Sequence, residues 1–172
     1  MSGTSSAQVE ISVEGEIEAS CALSGLTSSV TGLDFNTPGS TTLDYIVDCN
    51  APFAYALESA GQSFELQAPS IGVSPGSAAF EASLDYTITS NFITDNGSFS
   101  DTLNSAELTA GNAAPCTAAA FDPACSFSDS GTDVAANPSG NNASLQIAWG
   151  STANPLIAGS YQDTLTLTVR VK

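Results

Sequence analysis

Between Val9 and Cys21 the odd positions are Val9, Ile11, Val13, Gly15, Ile17, Ala19 and Cys21, and the even ones are Glu10, Ser12, Glu14, Glu16, Glu18 and Ser20. A period of two with one charged face predicts a strand buried on the other face. The run is well beyond the usual strand length of about five or six residues. It begins close to the N-terminus, where backbone frays unless something holds it. The C-terminus has a similar pattern: Leu165, Leu167, Val169 and Val171 alternate with Thr164, Thr166, Thr168 and Arg170. Long alternating strands at both ends leave sheet edges to satisfy. An N-terminal strand that outruns its own domain can complete the sheet of another molecule. The competing reading is one continuous strand, Val9 to Cys21, inside its own fold.

The stretch between the two ends predicts strand after strand. Leu43, Tyr45, Val47 and Cys49 alternate, as do Phe53, Tyr55 and Leu57 after the Asn50-Ala51-Pro52 turn. Phe64, Leu66 and Ala68 follow, then Phe80, Ala82, Leu84, Tyr86 and Ile88 on one face. Asn96-Gly97, flanked by Phe92 and Phe99, predicts a hairpin. Residues 110–142 have little periodicity and read as a loop insertion. Ala143, Leu145, Ile147 and Trp149 form the next strand, and Gly159 to Lys172 the last. About seven or eight strands with turns between them suit an all-β sandwich of immunoglobulin-like size.

A chain of 172 residues with 42% hydrophobic residues can bury one core. Acidic residues number 18 and basic ones two, for a formal charge of -16. Nucleic-acid binding needs cations to displace counterions from phosphate, so that class is excluded. An anionic membrane surface is disfavoured on the same ground. No run of eighteen apolar residues predicts a transmembrane segment. No hydrophobic leader precedes Val9, so a secretory signal is expected either to have been removed from this chain or never to have existed, and disulfides favour removal.

Four cysteines and no histidine narrow the chemistry further. Ser-His-Asp and Cys-His centres are excluded. Three disulfide pairings are open on the count alone. Cys21 and Cys49 each close an alternating stretch, and Cys116 and Cys125 flank a short loop, so Cys21–Cys49 with Cys116–Cys125 is the economical pairing. The C-x2-C pairs usual for a four-thiolate zinc site are missing. Disulfides imply an oxidising compartment.

The remaining candidates have plainer readings beside them. Glu14, Glu16 and Glu18 could supply a carboxylate pair, but glutamates at alternate strand positions make a solvated face. Asp95-Asn96-Gly97-Ser98 and Asp129-Ser130-Gly131-Thr132-Asp133 hint at calcium without matching an EF loop; aspartates capping turns account for them. Trp149 could stack on a sugar, but its parity with Leu145 and Ile147 assigns it to the core. No catalytic residue, metal or cofactor is expected.

Several of these stretches resemble the spore coat protein U-like domains, the family that includes subunits of archaic, Csu-type chaperone–usher pili. The similar pieces are Cys21 after its strand, Leu33-Asp34-Phe35, Val47-Asp48-Cys49-Asn50-Ala51-Pro52-Phe53-Ala54-Tyr55, Leu84-Asp85-Tyr86-Thr87-Ile88, and Gly159-Ser160-Tyr161-Gln162-Asp163-Thr164 with the alternating strand after it. Asn36 stands where the family often has glycine, and Val171-Lys172 where it often ends on an aromatic residue.

The resemblance implies an incomplete immunoglobulin-like sandwich, completed by a donor strand from a neighbouring subunit. Residues 1–14 would be the donor extension and 15–172 the pilin domain. Val9, Ile11 and Val13, with Ile17, would enter a groove walled by Leu165, Leu167, Val169 and Val171. The implied partners are identical or related pilin subunits, a periplasmic chaperone and an outer-membrane usher. The implied location is an extracellular pilus reached through the periplasm, serving adhesion and biofilm formation. The alternatives are a secreted carbohydrate- or surface-binding β-sandwich that uses the 110–142 insertion, and a stand-alone coat protein.

Overall fold

The computed structural model describes residues 12, 14–69, 79–95, 97–110, 127–129 and 140–171. Nearly all the regular structure is β, arranged in several mostly antiparallel sheets. The first strands are β1 (Cys21–Ser24), β2 (Gly39–Cys49), β3 (Phe53–Ser59) and β4 (Phe64–Pro69). Then come β5 (Ser83–Leu84), β6 (Tyr86–Thr94), β7 (Gly97–Asn104) and the two-residue β8 (Thr109–Ala110). The last are β9 (Phe127–Asp129), β10 (Ala143–Trp149), β11 (Gly159–Gln162) and β12 (Leu165–Val171). One sheet has the order β1-β2-β10-β6-β7. The second has β11-β4-β5, and the third β12-β3-β8 with β9 also on β3.

Alternating apolar residues explain the strands of the five-stranded sheet. Along β10, Ala143, Leu145, Ile147 and Trp149 are buried, as are Tyr45, Val47 and Cys49 along β2. The β6–β7 hairpin forms as the Asn96-Gly97 signal predicts, with Phe92 opposite Phe99. The sheets share one core: the Tyr55 ring of β3 lies 4.5 Å from Phe92 of β6, and Phe64 of β4 lies 4.7 Å from Tyr86. Such aromatic pairs add to the burial of their own area. Trp149 belongs to this core. Its ring packs against Phe35 and Phe64. Its Nε1–H donates to Asp34 O at 3.2 Å and Thr37 O at 3.0 Å.

Buried side-chain amides replace missing backbone partners. Asn142 accepts from Val47 N and donates to Val47 O, both at 2.8 Å, as a strand residue would. Its own carbonyl accepts from Ile93 N. One residue thus ties β2 to β6 just before β10 begins.

Four expectations change. The long N-terminal strand is not continuous: Glu14–Ser20 are exposed and lie outside any strand, and β1 starts only at Cys21. Alternation records one apolar face but not which molecule covers it. The stretch Phe80–Ile88 breaks at Asp85 into β5 and β6, which belong to different sheets, and Phe80 is exposed. The final stretch breaks likewise, with β11 on β4 and β12 on β3. Finally, the 110–142 region contains β9, which pairs with Ala54–Ala56. Ala54 and Ala56 are as buried as Phe53, Tyr55 and Leu57, so β3 is covered on both faces.

Candidate functional site: a cleft beside two sheet edges

The site begins with the disulfide. Cys21 and Cys49 face each other in the β1–β2 ladder, and their sulfurs are bonded. The bridge holds the four-pair β1–β2 ladder at the margin of the five-stranded sheet. Cys116 and Cys125 lie outside the described residues.

β1 pairs only with β2, and β12 pairs only with β3 among the described residues. The two edges come within 8 Å at their Cα atoms, yet no ladder joins them. Beyond Ser24 a cleft of about 680 Å³ opens between the segment 26–33 and the segment 159–167. Its floor is the core itself: Leu43, Leu145 and Ile147 from one side, Leu57 and Phe64 from the other. Leu165 and Leu167 of β12 line it and remain half-buried. A cleft with an apolar floor on the core and walls that carry Thr27, Ser28, Gln162 and Thr164 offers apolar contacts below and polar groups beside an extended peptide.

The walls are held by polar contacts between distant residues. Asn36 N and Nδ2 both donate to Asp34 Oδ1, at 2.9 and 2.8 Å. These bonds hold the Asp34 carboxyl below the usual carboxylate range. The turn they make presents Phe35, which also lines the cleft, to Phe64 at 4.7 Å.

On the opposite wall, Asp163 sits where the chain crosses from β11 to β12. It accepts from Ser59 Oγ at 2.6 Å, from Gly61 N at 3.0 Å, from Thr164 N at 2.7 Å and from Tyr86 OH. Burial first, and then the Asp163 carboxylate, raise the Tyr86 phenol above its ordinary 10.0. Tyr161 donates from its hydroxyl to Ile157 O at 2.7 Å and Glu81 O at 3.2 Å. At Gly159 any Cβ would lie 2.3 Å from Ala68 O, so the pairing of β11 with β4 requires glycine there. The stretch Gly159-Ser160-Tyr161-Gln162-Asp163-Thr164 therefore has a structural role at each of its distinctive positions.

The named site residues are placed as follows. Val9, Ile11 and Val13 lie outside the described residues. Ile17 is 88% exposed. Leu165 and Leu167 line the cleft; Val169 packs against the core, and Val171 sits half-buried opposite Phe53, but neither lines the cleft. Leu43, Leu145 and the 26–33 wall are cleft residues that the sequence reading did not single out. The first two look like any other inward strand position, and the third has no periodicity.

Trp149 is 7% exposed with its N–H occupied, so it offers no stacking platform for a sugar. Glu14, Glu16 and Glu18 are exposed. Among the described residues no group of three or more Cys, Asp or Glu side chains could hold a metal ion, and no helix is long and apolar enough to cross a membrane. No family model, curated protein or solved structure matches the chain.

Proposed function

We propose that the chain is a structural pilus subunit, an incomplete immunoglobulin-like sandwich whose cleft takes the N-terminal extension of a second copy. The observation that carries this reading is the cleft, which reaches the core beside the edge of β12 and just beyond the end of β1, two strands that share no ladder among the described residues. Two strands flanking a third stand about 9.6 Å apart. β1 and β12 are closer than that at their nearest, so an incoming strand must widen the gap there as it enters.

The extension suits the role of donor. Glu14–Ser20 are exposed and unpaired by any strand, and the alternating Val9, Ile11 and Val13 precede them. Burying three or four such side chains contributes on the order of 5–10 kcal/mol, partly offset by ordering entropy.

The occupant is a second copy rather than the chain's own extension. With Glu14–Ile17 as the turn, a fold-back would set Val13 beside Glu18 and Val9 beside Ala22. The cleft opens beyond Ser24, so none of the donor side chains would reach it. Assembly would use a periplasmic chaperone and an outer-membrane usher, in the oxidising compartment where the Cys21–Cys49 bridge forms.

Deleting residues 1–14 tests the proposal. The truncated subunit should bind a synthetic peptide of residues 7–19, gain thermal stability from it, and end fibres instead of extending them under the electron microscope. Normal-length fibres from truncated subunits alone, or no response to the peptide, would overturn the donor-strand reading.

A further inference from the structure

The end of β2 holds the root of the extension with one side chain. β2 stops at Cys49 and the chain turns away through Asn50-Ala51-Pro52 into β3, so no β2 backbone remains to pair with Glu18–Ser20. Asn50 takes over. Its backbone N donates to Ser20 O at 3.1 Å. Its side-chain Oδ1 accepts from Ser20 N at 2.7 Å, and its Nδ2 donates to Glu18 O at 2.9 Å. The carboxamide therefore offers the donor and acceptor of a peptide unit and carries the β1 ladder past the end of its partner strand. The disulfide lies immediately beside it. N-terminal to this clamp, Glu14–Ile17 are exposed and form no hydrogen bond among the described residues. A Cβ on Gly15 would meet nothing within 4 Å.

We propose that Asn50 is a positioning residue that fixes the root of the N-terminal extension and so sets the stiffness of the joint between successive subunits. The proposal rests on the donor-strand reading above. With the clamp closed, the free span between a subunit and the strand it donates is Glu14–Ile17. Without it the span grows to Glu14–Ala19, and a longer free linker bends through a wider range. Asn50 is exposed and outside the core, so its loss acts on the joint and not on the acceptor cleft.

The test compares wild type, Asn50→Ala and Asn50→Asp in two measurements. The first is hydrogen exchange at the Ser20 amide of the subunit. Asn50→Ala should lose its protection, while Asn50→Asp should keep it, because the carboxylate still accepts there but cannot donate to Glu18 O. The second is fibre curvature by electron microscopy, at matched yield and subunit melting temperature. Persistence length should fall for Asn50→Ala and take an intermediate value for Asn50→Asp. Unchanged Ser20 exchange in Asn50→Ala would show that the clamp is not formed, and unchanged curvature would show that it does not govern the joint; either result overturns the proposal. Failure of wild type to form any fibre would instead remove the donor-strand reading, and the joint with it, whatever the exchange data showed.

Discussion

Replacing Asp163 by alanine should be among the most damaging single changes in the described fold. Its carboxylate accepts from Ser59 Oγ, Tyr86 OH, Gly61 N and Thr164 N. Ser59 is fully buried and Tyr86 is 3% exposed, so their hydroxyls cannot turn to water. Hydrogen bonds to a charged group contribute about 1.5–3 kcal/mol each, and the two part-buried ones together roughly 3–6 kcal/mol. The Gly61 and Thr164 amides sit at exposed positions, where water replaces the carboxylate, and add little. Total stability for a domain of this kind is about 5–15 kcal/mol. Asp163→Ala should therefore remove a large share of it and loosen the crossing from β11 to β12 that walls the cleft. Urea unfolding followed by the fluorescence of Trp149, the chain's single tryptophan, measures the loss. Asp163→Asn, which keeps one carbonyl acceptor, should lose about half as much. A loss below about 1 kcal/mol for Asp163→Ala, within the range of ordinary surface changes, would refute the buried network.

Gly39→Ala should cost about 1–3 kcal/mol and shift tryptophan emission to the red. Its Cβ would stand 2.8 Å from Trp149 Cζ2, whereas Gly150→Ala, with nothing within 4 Å, should leave both readings unchanged. Replacing Cys21 and Cys49 together by serine should cost about 3–4 kcal/mol on the loop-entropy model, from a sequence separation of 28. Peptide mapping without reduction should recover Cys21 joined to Cys49, and Cys116 joined to Cys125; a Cys21 peptide joined to either of the latter contradicts the first bridge. Stability should decline as pH climbs above about 10. Burial holds the Tyr45 and Tyr86 phenols above their ordinary 10.0, so the unfolded chain loses those protons first. Their contribution is complete below pH 10 and is lost above it; flat urea midpoints from pH 9 to 12 would contradict that. Ile11→Ser should reduce polymerisation more than Glu10→Ser, because Ile11 lies on the apolar donor face between Val9 and Val13 and Glu10 lies on the opposite face. Fibre yields in the opposite order would place the donor one residue out of the proposed register.

Much of the all-β architecture is legible in the sequence because alternation is a local property. Ala143 to Trp149 and Leu43 to Cys49 declare their buried faces within seven residues each, and the hairpin after Phe92 declares its turn. The pairing of Cys21 with Cys49 is legible because each closes an alternating stretch of sequence, although in the fold β1 begins at Cys21. What alternation leaves open is the identity of the covering surface. The same pattern at Ile17 and Ala19 belongs to exposed backbone, because no strand among the described residues lies against it. Nor does parity reveal where a strand leaves one sheet for another, as at Asp85 and Asp163, since inward and outward positions keep alternating through the crossing.

The polar devices were hidden for a further reason. Asn142 reaches Val47 and Asp163 reaches Ser59 across 95 and 104 residues of sequence, and a lone Asn or Asp next to a turn looks the same whether it caps that turn or ties two sheets together. The cleft is the extreme case. Leu43, Leu145 and Leu57 are ordinary inward residues of three separate strands, and only the packing of those strands leaves the space above them open. The sequence by itself determined which residues seek cover, because hydrophobic periodicity is written along one strand at a time. The tertiary structure decided which of them are covered from within the chain, because that depends on edges the topology brings close without joining them.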